Sequence, residues 1–170
     1  MQLRTTPRPE SRTPVAVLAV HGELRTLAAQ DIAAGEVVME LEGVRVALPT
    51  RFTIQVGLLQ HLELPADIAW TEELERYPWR FLNHSCMPNT RVVQRGGVPC
   101  LLALEDVSAG TELDFDYEAN ELELAEPFTC RCGHCDGHRV RGFQHLGPEQ
   151  RAARAASLSD HLRPLLAQRA

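Results

Sequence analysis

The sequence predicts a small, mainly-β domain that carries a metal site. Short apolar or alternating runs recur along the chain, most of them closed by a turn rich in Gly, Pro or Ser. Helix signals are few until the C-terminal stretch. Three of the five cysteines fall within CRCGHC, Cys130 to Cys135. The 170 residues are enough for one domain with its own core.

Residues 1–14, MQLRTTPRPESRTP, are polar and proline-rich. They read as a flexible arm rather than a secretory signal, so the chain is expected in the cytoplasm. Residues 15–20, VAVLAV, predict a buried strand. In DIAAGEVVMELEG a turn at Ala34-Gly35 leads into a strand over 37–41, which a turn at Gly43 closes. Residues 44–48 predict a short strand ended by Pro49, and 53–56 alternate as another. Thr71 before an acidic run predicts a capped short helix. Arg95-Gly96-Gly97, between apolar runs at 91–94 and 98–104, predicts a hairpin. A turn at Ser108-Ala109-Gly110 leads into ELDFDY. After Gly147-Pro148 the Ala-, Arg- and Leu-rich composition predicts a helix to the end, kinked at Pro164.

Composition narrows function. Hydrophobic residues make up 44% and charged residues 24%, the balance of a soluble globular domain, and no apolar run is as long as a membrane span. A net charge of −6 argues against direct nucleic-acid binding. From Glu105 to Glu126 there are nine carboxylates and no arginine. Such a run is ordinarily a solvated face, but it would also attract a basic substrate. All 17 basic residues are arginine, a pattern that genomic base composition explains.

An odd number of cysteines with no export signal argues against a disulfide scaffold and for metal. Cys130, Cys132 and Cys135 supply three thiolates, and tetrahedral zinc wants a fourth ligand. His84, Cys86, His134 and His138 are the candidates. His134 sits inside the loop, where a chelate would be strained. Cys100 lies in an apolar run and reads as a core residue. Cys86, in the polar turn RFLNHSCMPN, suits a ligand and would tie the distant loop onto that turn. A nucleophilic Cys86–His84 pair is the weaker reading, because no third group orients the base.

RFLNHSCMPN (80–89), ELDFDY (112–117) and CRCGHC (130–135), in that order, resemble the signature of SET-domain protein-lysine methyltransferases with a post-SET zinc segment. PTRFTIQVG (49–57) resembles the middle segment of small bacterial members. The resemblance implies a SET (β-clip) fold of several small sheets, with the NHSC and LDFDY segments threaded past each other as a pseudoknot. The resemblance covers about residues 15–137; with the helix predicted from composition it divides the chain into a SET domain over 15–126, a post-SET zinc segment over 127–146 and a C-terminal helix over 147–170. It assigns Asn83 and His84 to S-adenosylmethionine, with Arg80 and the loop holding Gly22 in support. Tyr117 takes the catalytic position beside the transferred methyl, Phe115 the position that sets how many methyls fit, and Cys86 the fourth zinc position.

Three departures stand out. In HGELRTLAAQDI the usual cofactor-loop glycines are Glu23 and Arg25. A tyrosine common after the next strand is replaced at or near Leu41. The post-SET spacing is CxCxxC, tighter than usual. The implied activity is S-adenosylmethionine-dependent N-methylation of a lysine side chain in a protein or peptide, with zinc as a second cofactor and neither membrane nor nucleic acid as a partner. A non-catalytic, zinc-stabilised SET-like binding module and a small-amine methyltransferase are the alternatives.

Overall fold

Backbone hydrogen bonds gather residues 14–166, those described by the computed structural model, into four small sheets and a few short helices. The arm expected over 1–14 lies outside the described residues except for Pro14. β1 (Val15–Val20) and β2 (Glu23–Ala28) form an antiparallel hairpin. Its turn is His21-Gly22, with φ of 52° and 86°. Two consecutive positive φ values suit the twist of a hairpin, and glycine takes the second at no steric cost. β2 thus occupies a stretch expected from the sequence to be a loop.

The central sheet has the order β3 (Val37–Glu40), β9 (Val98–Ala103), β8 (Thr90–Arg95), β10 (Asp114–Phe115), β7 (Asn83–His84). β8 and β9 form the hairpin expected around Gly96-Gly97. β10 runs parallel to both of its neighbours, with Asp114 opposite Asn83 and Phe115 opposite His84. NHSC and LDFDY thus lie side by side despite the chain between them. A third sheet has the order β4 (Val44–Val46), β6 (Gln60–Glu63), β5 (Ile54–Gly57), in which β6 was not foreseen. β11 (Phe128–Thr129) and β12 (Arg139–Val140) pair across the cysteine-rich loop.

Val38, Leu101, Val92, Leu113 and Trp79 pack into the main core with Phe115. Alternation along β8 and β9 is incomplete, because β9 is covered on both faces and Pro99 to Ala103 are all buried. α1 (Trp70–Arg76) has Ala69 at its N-cap position and no side-chain cap, so Thr71 does not cap it as expected. α2 (Tyr117–Asn120) is a single turn, and the Asp116 carboxylate accepts the Glu118 N–H at its start. Among the described residues, no helix is long and apolar enough to cross a membrane.

The C-terminal helix predicted from composition is cut short. α3 (Pro148–Ala153) ends at Arg154, and turns then lead to one 3-10 turn, Arg163–Leu165. Tertiary contacts override helix propensity here. Arg154 turns inward onto two buried carboxylates, and Asp160 accepts hydrogen bonds from Arg91 and from the Gln94 N–H. Leu158 and Leu162 are fully buried against Ala119, Phe143 and Leu146. One straight helix could not satisfy these contacts together.

Candidate functional site

Cys86 follows β7, while Cys130, Cys132 and Cys135 lie in the loop between β11 and β12. The Cys130 N–H donates to the His138 carbonyl at 2.8 Å, which closes that loop. The four sulfurs lie within 4.8 Å of one another, and Cys86 Sγ to Cys130 Sγ is 3.7 Å. A tetrahedral zinc with ~2.3 Å bonds to sulfur needs sulfur–sulfur edges near ~3.8 Å, so the donor set fits. Burial pushes the Cys86 thiol up and the Cys130 thiol to about 11, so a cation is what would let all four ionise. The other candidates are placed elsewhere. Cys100 is buried with Val93 and Leu102, and His138 Nε2 lies 2.6 Å from Glu118.

Next to this cluster opens a cavity of about 980 Å³. Arg80, Asn83, His84, Phe115 and Tyr117 all line it. The Tyr117 hydroxyl donates to the Leu82 carbonyl at 2.8 Å, and burial raises its pKa. Its ring sits 4.7 Å from that of Phe115 and 5.9 Å from that of Phe128. Tyr117 is the first residue of α2, and β10 ends two residues earlier, at Phe115. The two rings meet nonetheless.

His84 Nδ1 accepts the Tyr117 N–H at 3.2 Å, while Nε2 faces Cys86 Sγ at 3.4 Å. An accepting Nδ1 puts the ring proton on Nε2, where it can donate to the sulfur. Burial lowers the His84 pKa to about 4, so the ring is neutral. His84 therefore joins the cysteine cluster to the Tyr117 backbone, a role that sequence reasoning missed.

Asn83 donates through Nδ2 to Glu112 at 2.8 Å. The other oxygen of Glu112 takes Arg25 at 2.6 Å, and Arg25 also reaches Glu23 at 3.1 Å. Glu23 and Arg25 thus line the cavity, whereas Gly22 sits at the exposed hairpin tip and does not. The tight turn places Gly22 outside the cavity lining, beside Glu23. Leu41 is a core residue outside the cavity. The Arg80 guanidinium lies 4.1 Å over the Phe52 ring, a cation–π contact at the cavity wall.

A buried charge network backs this wall. Arg154 Nε lies 2.7 Å from Asp116 and Nη2 lies 3.1 Å from Glu118. The two carboxylates flank Tyr117 in sequence, and each side chain is 1% exposed. Nothing in the sequence marked Arg154 among the many arginines of its stretch.

A family model described as SET domain matches residues 26–118. The chain belongs to the SET-domain family. Relatives of this SET domain include the histone-lysine N-methyltransferase set9 of Schizosaccharomyces pombe, 27% identical over 129 residues, which cover 73% of this chain and 28% of set9. The H3 lysine-9-specific histone-lysine N-methyltransferase dim-5 of Neurospora crassa is 33% identical over 84 residues, 39% of this chain and 24% of dim-5. Among solved structures, KRYPTONITE in complex with mCHG DNA and SAH superposes with a TM-score of 0.54 at 21% identity, covering 75% of this chain and 29% of that one. The chain thus spans less than a third of these proteins. The SET match ends at residue 118, so the cysteine loop and Arg154 lie beyond it.

Proposed function

We propose that the chain is an S-adenosylmethionine-dependent N-methyltransferase acting on a lysine side chain of a protein or peptide. The observation that carries this reading is the convergence of Asn83, His84, Phe115 and Tyr117 on one cavity beside the four-cysteine cluster. The names of set9 and dim-5, and the KRYPTONITE complex with an H3(1-15) peptide and SAH, support it. DNA is also present in that complex, but this chain covers only 29% of that protein, and its own net charge is −6. Direct nucleic-acid binding is not part of the proposal.

When bound, the cofactor supplies an electron-poor methyl group on a sulfonium. Asn83, Arg80 and the wall formed by Glu23 to Arg25 are the residues to hold it. The Tyr117 hydroxyl gives its hydrogen to Leu82. Its oxygen lone pairs stay available for weak C–H···O contacts. The rings of Phe115, Tyr117 and Phe128 form an apolar wall against which a lysine, with a free pKa of about 10.4, loses its proton more readily than in water. Holding both reactants in line supplies a large share of the rate enhancement. Zinc held by Cys86, Cys130, Cys132 and Cys135 would fix the loop that closes one side of the cavity.

Calorimetric titration with S-adenosylmethionine, followed by radiolabelled methyl transfer to lysine peptides, tests the reading. Cofactor binding with no transfer to any lysine would favour a binding module, an alternative made specific by Glu23 and Arg25 at the usual glycine positions. Phe115 has no hydroxyl to hold a water or pin the amine, so wild type is expected to give di- or trimethyl product. Phe115→Tyr should shift product toward monomethyl by mass spectrometry. A wild type stalled at monomethyl under excess cofactor would contradict that role.

A further inference from the structure

Glu121 departs from the acidic run that surrounds it. The Glu123 and Glu126 side chains are each 62% exposed, whereas that of Glu121 is 10% exposed. Its Oε1 accepts the Gln55 N–H at 2.9 Å and the Asn120 amide at 2.8 Å. Both donors are neutral. The only ion-pair partner near Oε2 among the described residues is His61 Nε2, at 3.8 Å. Burial lowers the pKa of His61, so at neutral pH it carries no charge to offset the carboxylate. Among the described residues no arginine pairs with Glu121, although Arg154 neutralises the acids on either side of Tyr117.

A carboxylate so deeply buried without a cation is costly to keep. Its pKa is pushed up to about 7 by burial, so the charge is only half held at neutral pH. Glu121 also lines the cavity that holds Phe115 and Tyr117, and its N–H donates to the Tyr117 carbonyl at 2.7 Å. The unpaired acid therefore stands one helical turn from the tyrosine, in the wall of the space a substrate would enter.

We propose that Glu121 is a specificity residue for the incoming side chain, its carboxylate binding the ammonium of a lysine beside Tyr117. The inference rests on the lysine-methyltransferase reading above. The missing counter-cation is then brought by the substrate, and a neutral side chain of the same length would leave the carboxylate uncompensated. The contact is one of recognition. The carboxylate favours the ammonium form and so acts as the side chain enters; the amine then leaves that contact for the aromatic wall, where it loses its proton to water before it reacts, and Glu121 is unchanged by the cycle.

The probe is a pool of peptides of random sequence around one central lysine, set against the same pool with norleucine at that position. Retention of both pools on immobilised protein is measured with S-adenosylhomocysteine present. Wild type should retain the lysine pool preferentially. Glu121→Gln preserves shape and an acceptor for Gln55 and Asn120. It should reduce the preference by about tenfold, as expected for a hydrogen-bonded charge contact. Its calorimetric affinity for S-adenosylhomocysteine should stay within about twofold of wild type. A retained preference in Glu121→Gln overturns the proposal. So does a parallel fall in S-adenosylhomocysteine affinity, or a wild type that binds S-adenosylhomocysteine but does not distinguish the pools. If wild type fails to bind S-adenosylhomocysteine at all, the methyltransferase reading falls, and the lysine-to-norleucine contrast, run without it, still decides the role of Glu121.

Should Glu121→Gln not fold, wild type provides the second measure. Its lysine preference should decline as pH falls from about 8 to about 6, because protonation removes the carboxylate charge. Glu118 of α2 is paired with Arg154, and Asp114 in the cavity wall is pushed up to about 6 by burial, so the decline that reports Glu121 is read between about pH 8 and about pH 7. Further titratable neighbours are His61 of β6, Tyr117 at the head of α2, and His161, whose Nε2 meets the Asn120 carbonyl. Burial lowers both histidines and raises the tyrosine, so all three are expected to be neutral over most of this range. A preference that does not change with pH would overturn the proposal.

Discussion

Tyr117→Phe is expected to lower turnover by on the order of 10²-fold, the usual cost of losing one positioned polar group at a reacting centre. The substitution removes a single oxygen. The ring keeps its contacts with Phe115, His84 and Phe128, and the backbone N–H still donates to His84. The Leu82 carbonyl loses its partner, at a cost in stability of about 1 kcal/mol. Folding and zinc content should therefore survive, and cofactor affinity should hardly change. Asn83→Ala should do the opposite, weakening cofactor binding before it slows chemistry, because its amide is tied to the Glu112–Arg25 pair in the cavity wall. Together the two variants separate binding from the chemical step in steady-state kinetics. Near-wild-type turnover in Tyr117→Phe on a verified substrate would refute the mechanism.

Cys132→Ser is expected to abolish zinc binding, and activity with it. Elemental analysis of wild type should give about one zinc per chain, and a strong chelator should reproduce the variant. The consequence extends past the loop, because His84 bridges Cys86 Sγ and the Tyr117 N–H. Losing metal frees Cys86, removes the anchor of the imidazole and loosens the turn that presents Tyr117. Cofactor affinity should drop in parallel with metal content. Cys100→Ser should lose neither, since Cys100 packs with Val93 and Leu102 away from the cluster. Full zinc occupancy in Cys86→Ser would refute the assignment of the fourth ligand.

The β8–β9 hairpin was legible because Gly96-Gly97 between apolar runs is a local signal with a local cause. The meeting of Cys86 with the post-SET cysteines was legible for a different reason: four soft donors and one tetrahedral ion leave few alternatives. β2 was missed because the turn rests on His21 in a left-handed conformation, which remains uncommon for any residue other than glycine. The C-terminal helix failed because Arg154 and Asp160 serve distant partners, and propensity is blind to them. Glu121 was hidden in a run of nine carboxylates that looks uniform in sequence. Only the third dimension separates its buried side chain from the exposed ones of Glu123 and Glu126.

The reach of Arg154 also bears on how the protein is made. Asp116 and Glu118 are buried charges, and Arg154 is 36 residues further along the chain than Glu118. Removing one partner of such a network costs roughly 3–5 kcal/mol, against total stabilities of about 5–15 kcal/mol for domains generally. Because synthesis runs from the N-terminus, every described strand emerges from the ribosome before Arg154, the cation on the tyrosine's flanks. A released chain ending at residue 150 would hold all twelve described strands and still leave two carboxylates buried without Arg154. A piece that ends before Arg154 is therefore expected to lose a large share of its stability through an arginine outside the family match, and the turn carrying Tyr117 is expected to feel that loss first.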